Sequence, residues 1–404
     1  MNAIDANTRI LVAMAVVIAA TRVVGWGMAK LGQPRVLGEI LAGVLLGPSL
    51  LGLLRPDAGE YLFPEPVVGG LTTIAQIGLV LFMFLVGLEV DMSHLRGQGR
   101  RAVAISHMSI VVPFALGVLV ALWIYPRLGA QADHLGFVLF IGAAMSITAF
   151  PVLARILQES GLDSTRIGAL ALTCAAVDDV TAWCLLAGVI AIVNSSGIGD
   201  VALTVLLAGL FIVVMLGGVR RVLAKRKPLS VPAAVAFALV CAWLTEMIGI
   251  HAIFGAFMAG MVMPGTSSRK NLADHLETTT TAVLLPVFFA VVGLSTRIGL
   301  LNSPYLWAIT ALITVAAVVG KLGGSAFAAR MTGESWNDAL TIGVLMNTRG
   351  LTELVILSVG LDLGVVSPTI FTALVFMALA TTFMAGPLLG ILGVTQRIKT
   401  SVPR

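Results

Sequence analysis

The sequence predicts an all-α polytopic membrane protein, and three observations carry that reading. Apolar runs of about twenty residues recur from one end to the other, each long enough to cross a hydrocarbon core as a helix. With 58% hydrophobic residues, 11% charged residues and a mean hydropathy of +1.02, the chain lacks the polar groups to clothe a water-soluble fold. The runs are also continuous, unlike the short alternating strands of a membrane barrel. A net charge of +5 does not mark a nucleic-acid binder, because the basic residues sit in the short loops between spans.

Thirteen spans are expected, at 8–31, 35–53, 69–90, 103–126, 135–158, 166–195, 199–223, 229–248, 251–265, 280–298, 304–330, 338–360 and 366–391. The first is too long for a signal-peptide core and lacks a small-residue cleavage site, so it reads as a retained span. The ninth is short, its passage beginning at Ile250 after Gly249 breaks the run. The distribution of charge tests the count. With the N-terminus outside, the inner loops collect Lys30, Arg35, Arg96, Arg100, Arg101, Arg166, the basic cluster 220–227, Arg269, Lys270 and Arg330. The outer side receives only Arg9, Arg55, Arg127 and Arg297, beside acids such as Asp57, Glu60 and Asp133. That asymmetry predicts an inner (cytoplasmic) membrane protein with its N-terminus outside and its C-terminus in the cytoplasm. Cys174, Cys184 and Cys241 all fall inside spans and read as small buried hydrophobes, neither ligands nor bridges.

The chain repeats itself. The segment around Gly38 and Gly43 in the second span matches that around Gly255 and Gly260 in the ninth, with identical glycine spacing. The segment 81–91 with Gly87 likewise matches 286–297 with Gly293. A shift of seven spans reverses orientation, so these are inverted six-helix repeats, at about 8–195 and 229–391, linked by the span 199–223. The whole chain, 1–404, reads as one transporter domain. The shared glycines let helices pack closely.

In such folds the site lies near the midplane, where spans are interrupted. The fifth span is interrupted at Ser146-Ile-Thr148-Ala-Phe-Pro151, and its repeat partner, the twelfth, at Asn347-Thr348-Arg349-Gly350 followed by Glu353. The proline removes an N–H and frees carbonyls. Ser146, Thr148, Asn347 and Thr348 add oxygen ligands. In the sixth span, Asp178 and Asp179 sit adjacent among Ala, Val and Trp, and an acidic pair at membrane depth points to function. Lys321, well inside the eleventh span, needs an anionic partner, and the acids at depth are Asp178 and Asp179. Adjacent helical residues point about 100° apart, so one aspartate can meet the lysine while the other faces a cavity. Such a pair titrates as a coupled unit. A site that takes either a proton or a monovalent cation is an exchanger, and its oxygens suit a hard cation, with no His/Cys set for a transition metal.

Arg349 and Glu353, four apart, either pair locally or leave Arg349 to meet an acid on another helix; both are read as structural. Glu39, Glu89 and Glu246 lie near span ends and read as interfacial. Arg22 is isolated, placed to snorkel or to touch a second copy. His107 and His251 read as packed or hydrogen-bonded.

At these residues the chain resembles the second family of monovalent cation/proton antiporters, which includes Kef-type potassium efflux proteins, bacterial sodium/proton antiporters and plant cation/proton exchangers. The resemblance is carried by 148–157, Val177-Asp-Asp-Val-Thr-Ala-Trp183, 249–260 and Asn347-Thr-Arg-Gly-Leu-Thr-Glu-Leu354, and covers nearly the whole length. It implies a homodimer with a mobile core (about 103–195 and 304–391) that holds two crossed broken helices and slides as an elevator. The dimerisation part would be about 8–90 and 199–298. Asp179 corresponds to the ion-binding acid, Asp178 to the variable position before it, and Lys321 to the lysine that pairs with the first Asp and competes with the cation. Two acids imply electrogenic exchange and sodium. The pattern departs from many relatives at Leu351, where they carry Glu directly after Arg-Gly, so a ligand role is not carried over to Glu353. The chain ends soon after the last span, so a large nucleotide-binding regulatory domain is not expected.

The sequence therefore predicts a non-enzymatic antiporter without a cofactor, working in the lipid bilayer on monovalent cations and protons. A channel-like efflux protein is disfavoured by the close acid pair with Lys321. A sodium-coupled symporter of an organic solute is disfavoured by the lack of surplus polar residues for a solute cavity.

Overall fold

A computed structural model describes residues 3–89, 95–129, 133–162, 165–194 and 198–392, and every regular element among them is helical. The chain opens with α1 (Ala3–Lys30), α2 (Arg35–Leu46), two short turns α3 (Leu51–Leu54) and α4 (Pro56–Leu62), α5 (Glu65–Glu89) and the long α6 (Leu95–Leu128). A broken passage, α7 (His134–Ser146) and α8 (Phe150–Ser160), precedes α9 (Arg166–Asn194). Next come α10 (Ile198–Val213), running through a π-helical turn into α11 (Arg220–Lys225), then α12 (Val231–Ile248) and α13 (Ala252–Met261). Two further interrupted rods follow. The first joins α14 (Thr266–Thr279) to α15 (Leu285–Ser295) across a π turn. The second joins α16 (Pro304–Val318) to α17 (Gly324–Met331) across the π turn Val319–Gly323. A second broken passage, α18 (Trp336–Met346) and α19 (Leu351–Asp362), leads to α20 (Pro368–Ile391).

Among the described residues, 10 stretches are long and apolar enough to cross a membrane. Each falls on one of the expected spans. The three expected spans outside that set are the ones with short or interrupted helices: α7/α8, α13 and α18/α19.

Local chemistry accounts for the breaks. A proline ring collides with the carbonyl four residues earlier, here that of Ile147. Ile147 accordingly leaves the helix at ψ 140°, and α8 opens at Phe150 with Pro151 in its first turn, where a missing N–H costs nothing. In the second passage Gly350 lies so close to Val152 that any Cβ would overlap the valine side chain. Gly249 ends α12 in the left-handed region (φ 94°), and the chain turns directly into α13.

Contacts group the described residues into two compact units. One comprises Met1–Arg22, Ala42–Asp91 and Ala187–Leu294. Its core sets Phe84, Leu85 and Leu88 of α5 against Ala238 and Cys241 of α12 and Met258, Ala259 and Val262 near α13. Two helix pairs here cross at backbone distance. A Cβ on Gly260 of α13 would strike Phe84 O of α5, and one on Gly87 would sit 3.0 Å from Gly260 Cα. A Cβ on Gly293 of α15 would lie 2.5 Å from the carbonyl carbon of Gly43 in α2.

The other unit comprises Val23–Leu41, Met92–Leu186 and Ser295–Arg404. Within it, Ala102 and Ile105 of α6, Leu170 and Cys174 of α9, Ala328 and Ala329 of α17 and Ala339, Ile342 and Met346 of α18 form one buried cluster.

Two readings from sequence need correcting. Cys184 is exposed on α9, while Cys174 and Cys241 are buried. The helical period puts position 184 on a different face from 174. Arg22 is not isolated: its Nη2 donates to Ala282 O at 3.1 Å, in the π turn Thr280–Leu284.

Candidate functional site

The two helix breaks meet. Ala149 N donates to Thr348 O at 3.2 Å, and Thr148 Oγ1 lies 3.3 Å from Met346 O. A helix leaves its last carbonyls without partners inside the helix and carries the negative end of its dipole there. At the end of α7, cations from the second break and from the π turn Val319–Gly323 take up those carbonyls. Arg349 donates to Ala144 O at 2.9 Å and to Met145 O, and Lys321 Nζ donates to Ser146 O at 2.5 Å. Both side chains are buried.

Lys321 also donates to Asp178 Oδ2 at 3.0 Å, with both side chains 0% exposed, and to Ser109 O at 3.0 Å. Asp178 is held from three further directions. Ser106 Oγ donates to its Oδ1 at 2.6 Å, while Ser109 Oγ (2.5 Å) and Thr148 Oγ1 (2.6 Å) donate to Oδ2. A charge pair taken out of water is tolerable only when its remaining valences are met in this way. Asp179 follows on α9, 2% exposed, its side chain turned about 100° from that of Asp178.

The structure thus brings Asp178, Lys321 and Thr148 together, with Asp179 adjacent in α9. The Ser146 hydroxyl turns back to Ala143 O at 2.8 Å, leaving its carbonyl to Lys321. The Thr348 hydroxyl bonds Leu345 O at 2.7 Å. Asn347 is buried, and its Oδ1 has no hydrogen-bond partner among the described residues. Of the two arrangements open to Arg349, the local one is present: Nη1 meets Glu353 Oε1 at 3.0 Å, both side chains buried. Thr382 of α20 fixes the same turn, accepting from Arg349 N at 2.9 Å and donating to Arg349 O at 2.6 Å.

Three features escaped the sequence reading. Ser106 and Ser109, one turn apart within the fourth span, are the first; two serines spaced i, i+3 in an apolar run were the available signal. Thr382 is the second. The third is Glu334, in the turn before α18, whose carboxylate receives Arg166 Nη1 and Nη2 at 2.8 and 2.5 Å and Arg101 Nη1 at 3.4 Å. Hydrogen bonding from Arg166, and then the charges of Arg166 and Arg101, hold the Glu334 carboxyl below its ordinary value, against the opposing effect of burial.

Elsewhere, Glu246 accepts from Ala252 N at 2.7 Å and so caps α13. His251 is the α13 N-cap, the one non-glycine residue with positive φ (72°) among those described. His107 Nδ1 lies 2.8 Å from Val103 O of its own helix. The Glu89 side chain lies outside the described residues.

A multi-pass apolar bundle with an acid–lysine pair buried where two broken helices meet defines a membrane protein built around an intramembrane charged site. The chain belongs to the sodium/hydrogen exchanger family of monovalent cation:proton antiporters: the family described as "Sodium/hydrogen exchanger, transmembrane" matches residues 14–395. It is 45% identical over 399 residues to the Na(+)/H(+) antiporter NhaS4 of Synechocystis sp., covering 95% of this chain and 97% of that one. It is 40% identical over 401 residues to cation/H(+) antiporter 20 of Arabidopsis thaliana, where it spans 94% of itself and 48% of the relative, about half that protein's length. Among solved structures, the sodium proton antiporter MjNhaP1 from Methanocaldococcus jannaschii matches with a TM-score of 0.71 over 96% of this chain and 99% of that one. At 14% identity that likeness speaks for the fold.

Proposed function

We propose that this protein is a secondary active antiporter exchanging protons for sodium, with potassium the alternative cation. The observation that carries the reading is the buried Asp178–Lys321 pair at the meeting of the two helix breaks, with Asp179 beside it. In the cation-free state Lys321 engages Asp178. A cation arriving at Asp179 competes with the lysine for negative charge and finds further oxygens at the breaks, the Asn347 Oδ1 among them. Ser146, Thr148 and Thr348 line the same junction, and the Arg349–Glu353 pair braces it. Because a proton and a cation exclude one another at the acids, each leaves as the other binds. Lys321, as a second ionisable group, allows more than one proton per cation, which makes the exchange electrogenic.

The reading extends to architecture. Thirteen spans with inverted repeats are supported by the glycine crossings: Gly43 meets Gly293, and Gly260 meets Gly87, and exchanging each glycine for its counterpart in the other repeat turns one crossing into the other. The two broken helices cross within a core of about 103–195 and 304–391. That core slides as an elevator against a dimerisation part of about 8–90 and 199–298, in a homodimer. The loop charges support an inner-membrane protein with the N-terminus outside. The likeness to the Na(+)/H(+) antiporter NhaS4 of Synechocystis supports sodium.

The test uses purified protein in proteoliposomes with an imposed pH gradient and an entrapped pH dye. Addition of Na⁺, K⁺ or Li⁺ is expected to drive proton movement that vanishes in Asp179→Asn. No movement with any of the three, or full activity in the variant, overturns the reading in favour of conduction or solute symport.

A further inference from the structure

We infer that Ser106 and Ser109 of α6 are positioning residues that set how hard Lys321 holds Asp178, and thereby how tightly the site takes its cation. The inference deepens the exchange reading and rests on it for its place in the cycle.

The two serines stand three apart, on one face of the helix. Each takes a different oxygen of the same carboxylate: Ser106 Oγ meets Oδ1 at 2.6 Å and Ser109 Oγ meets Oδ2 at 2.5 Å. Both serines are fully buried. A carboxylate has about four acceptor positions. Ser106 takes one on Oδ1, while Ser109, Thr148 and Lys321 converge on Oδ2, so the hydroxyls and the ammonium share the same oxygen. Ser109 touches both partners, because its carbonyl accepts from Lys321 Nζ at 3.0 Å.

A buried hydroxyl in a helix ordinarily bonds a carbonyl three or four residues back. Thr310, Thr341 and Thr381 do so in this unit. Ser106 instead reaches across to α9. Ser109 has both options, since Ser106 O lies 2.9 Å from its Oγ. Its hydroxyl can therefore turn between its own helix and Asp178 as Lys321 comes and goes.

Hydroxyl donors share the charge of Asp178 and lessen its demand for the lysine. Without them the ammonium, with three donors on a flexible stem, becomes the dominant partner and holds harder. An entering cation then has to displace a tighter pair. The expected signature is weaker cation binding with little change in turnover of the loaded protein.

The experiment measures the Na⁺ concentration giving half-maximal thermal stabilisation of the detergent-purified protein, beside KM and kcat for Na⁺-driven proton movement in proteoliposomes. The variants are Ser106→Ala, Ser109→Ala, and Cys or Thr at each position. One hydrogen bond to a charged group predicts that Ala raises the half-saturating concentration and KM about tenfold. Cys, of similar size but a weak donor, should match Ala, and Thr should recover most of the wild-type value. Unchanged half-saturation in the Ala variants, or Cys behaving as Ser, overturns the inference even if exchange is intact. A half-saturation raised in the Ala variants, when even the wild type moves no protons, upholds the serine role and overturns the exchange reading. Absence of any cation effect on stability overturns both.

Discussion

Gly43 and Gly293 approach so closely that a Cβ on the second would lie 2.5 Å from the carbonyl carbon of the first. Gly260 and Gly87 repeat the arrangement on α13 and α5. Forcing a methyl into such a crossing costs about 1–3 kcal/mol. Gly87→Ala and Gly293→Ala should therefore lower the melting temperature in detergent. Gly188, in α9 with open space where a Cβ would stand, is the control, and Gly188→Ala should be neutral or stabilising.

Among the described residues, Lys321→Met removes the one cation bonded to Asp178 and leaves a buried carboxylate held by hydroxyls. Breaking a buried pair from one side costs about 3–5 kcal/mol. Combining Lys321→Met with Asp178→Asn should recover part of that loss. A double-mutant cycle read by thermal unfolding checks the coupling; additive losses would mean that the two groups do not act as a pair.

Arg349 serves three acceptors in two directions: Ala144 O, Met145 O and Glu353 Oε1. A lysine presents one compact charge and cannot span them. Arg349→Lys should destabilise nearly as much as Arg349→Ala. A lysine variant with wild-type melting would contradict that geometry.

Asn347 Oδ1 holds nothing among the described residues. Asn347→Ala therefore forfeits no internal bond through that atom, and its effect should fall on cation KM rather than on melting temperature. A large fall in melting temperature with unchanged KM would assign the side chain to packing.

The Glu334 carboxyl is held below its ordinary value of 4.5, first by hydrogen bonding from Arg166. A lowered folded-state value means the stabilisation is complete above 4.5 and is lost as pH falls through the folded value, below it. The stability advantage of wild type over Glu334→Gln should be flat from neutral pH down to about 5 and shrink in stronger acid. Arg166 and Arg101 are 52% and 55% exposed, so added salt should also reduce it.

Much of this was legible in the sequence, for physical reasons. Spans are legible because lipid demands length and apolarity together. Asp178, Asp179 and Lys321 stand out because charge at depth is costly, and the breaks because Pro151 and Gly350 interrupt helical runs. The Thr148 hydroxyl was legible beside Pro151, but those of Ser106, Ser109 and Thr382 were not. A serine or threonine in an apolar run can satisfy itself on its own helix, as Thr310 does, or reach another, as Ser106 does, and nothing local distinguishes the two. The partner of Arg22 was hidden likewise, because the Ala282 carbonyl belongs to a π turn with no distinctive residue. Glu334 sits in a short polar turn, where an acid reads as solvated until Arg166 and Arg101 are brought to it from 168 and 233 residues away.

The end of α7 is bolted. Its last carbonyls, at 144, 145 and 146, are gripped by Arg349 from the second break and by Lys321 from the π turn between α16 and α17. No loose swivel exists there for α7 to tilt on its own, because tilting would strip two buried cations of their acceptors at once. Any displacement that carries α7 must carry the α16–α17 rod and the α18–α19 junction with it, so the gap at 147–149 is a rivet rather than a hinge.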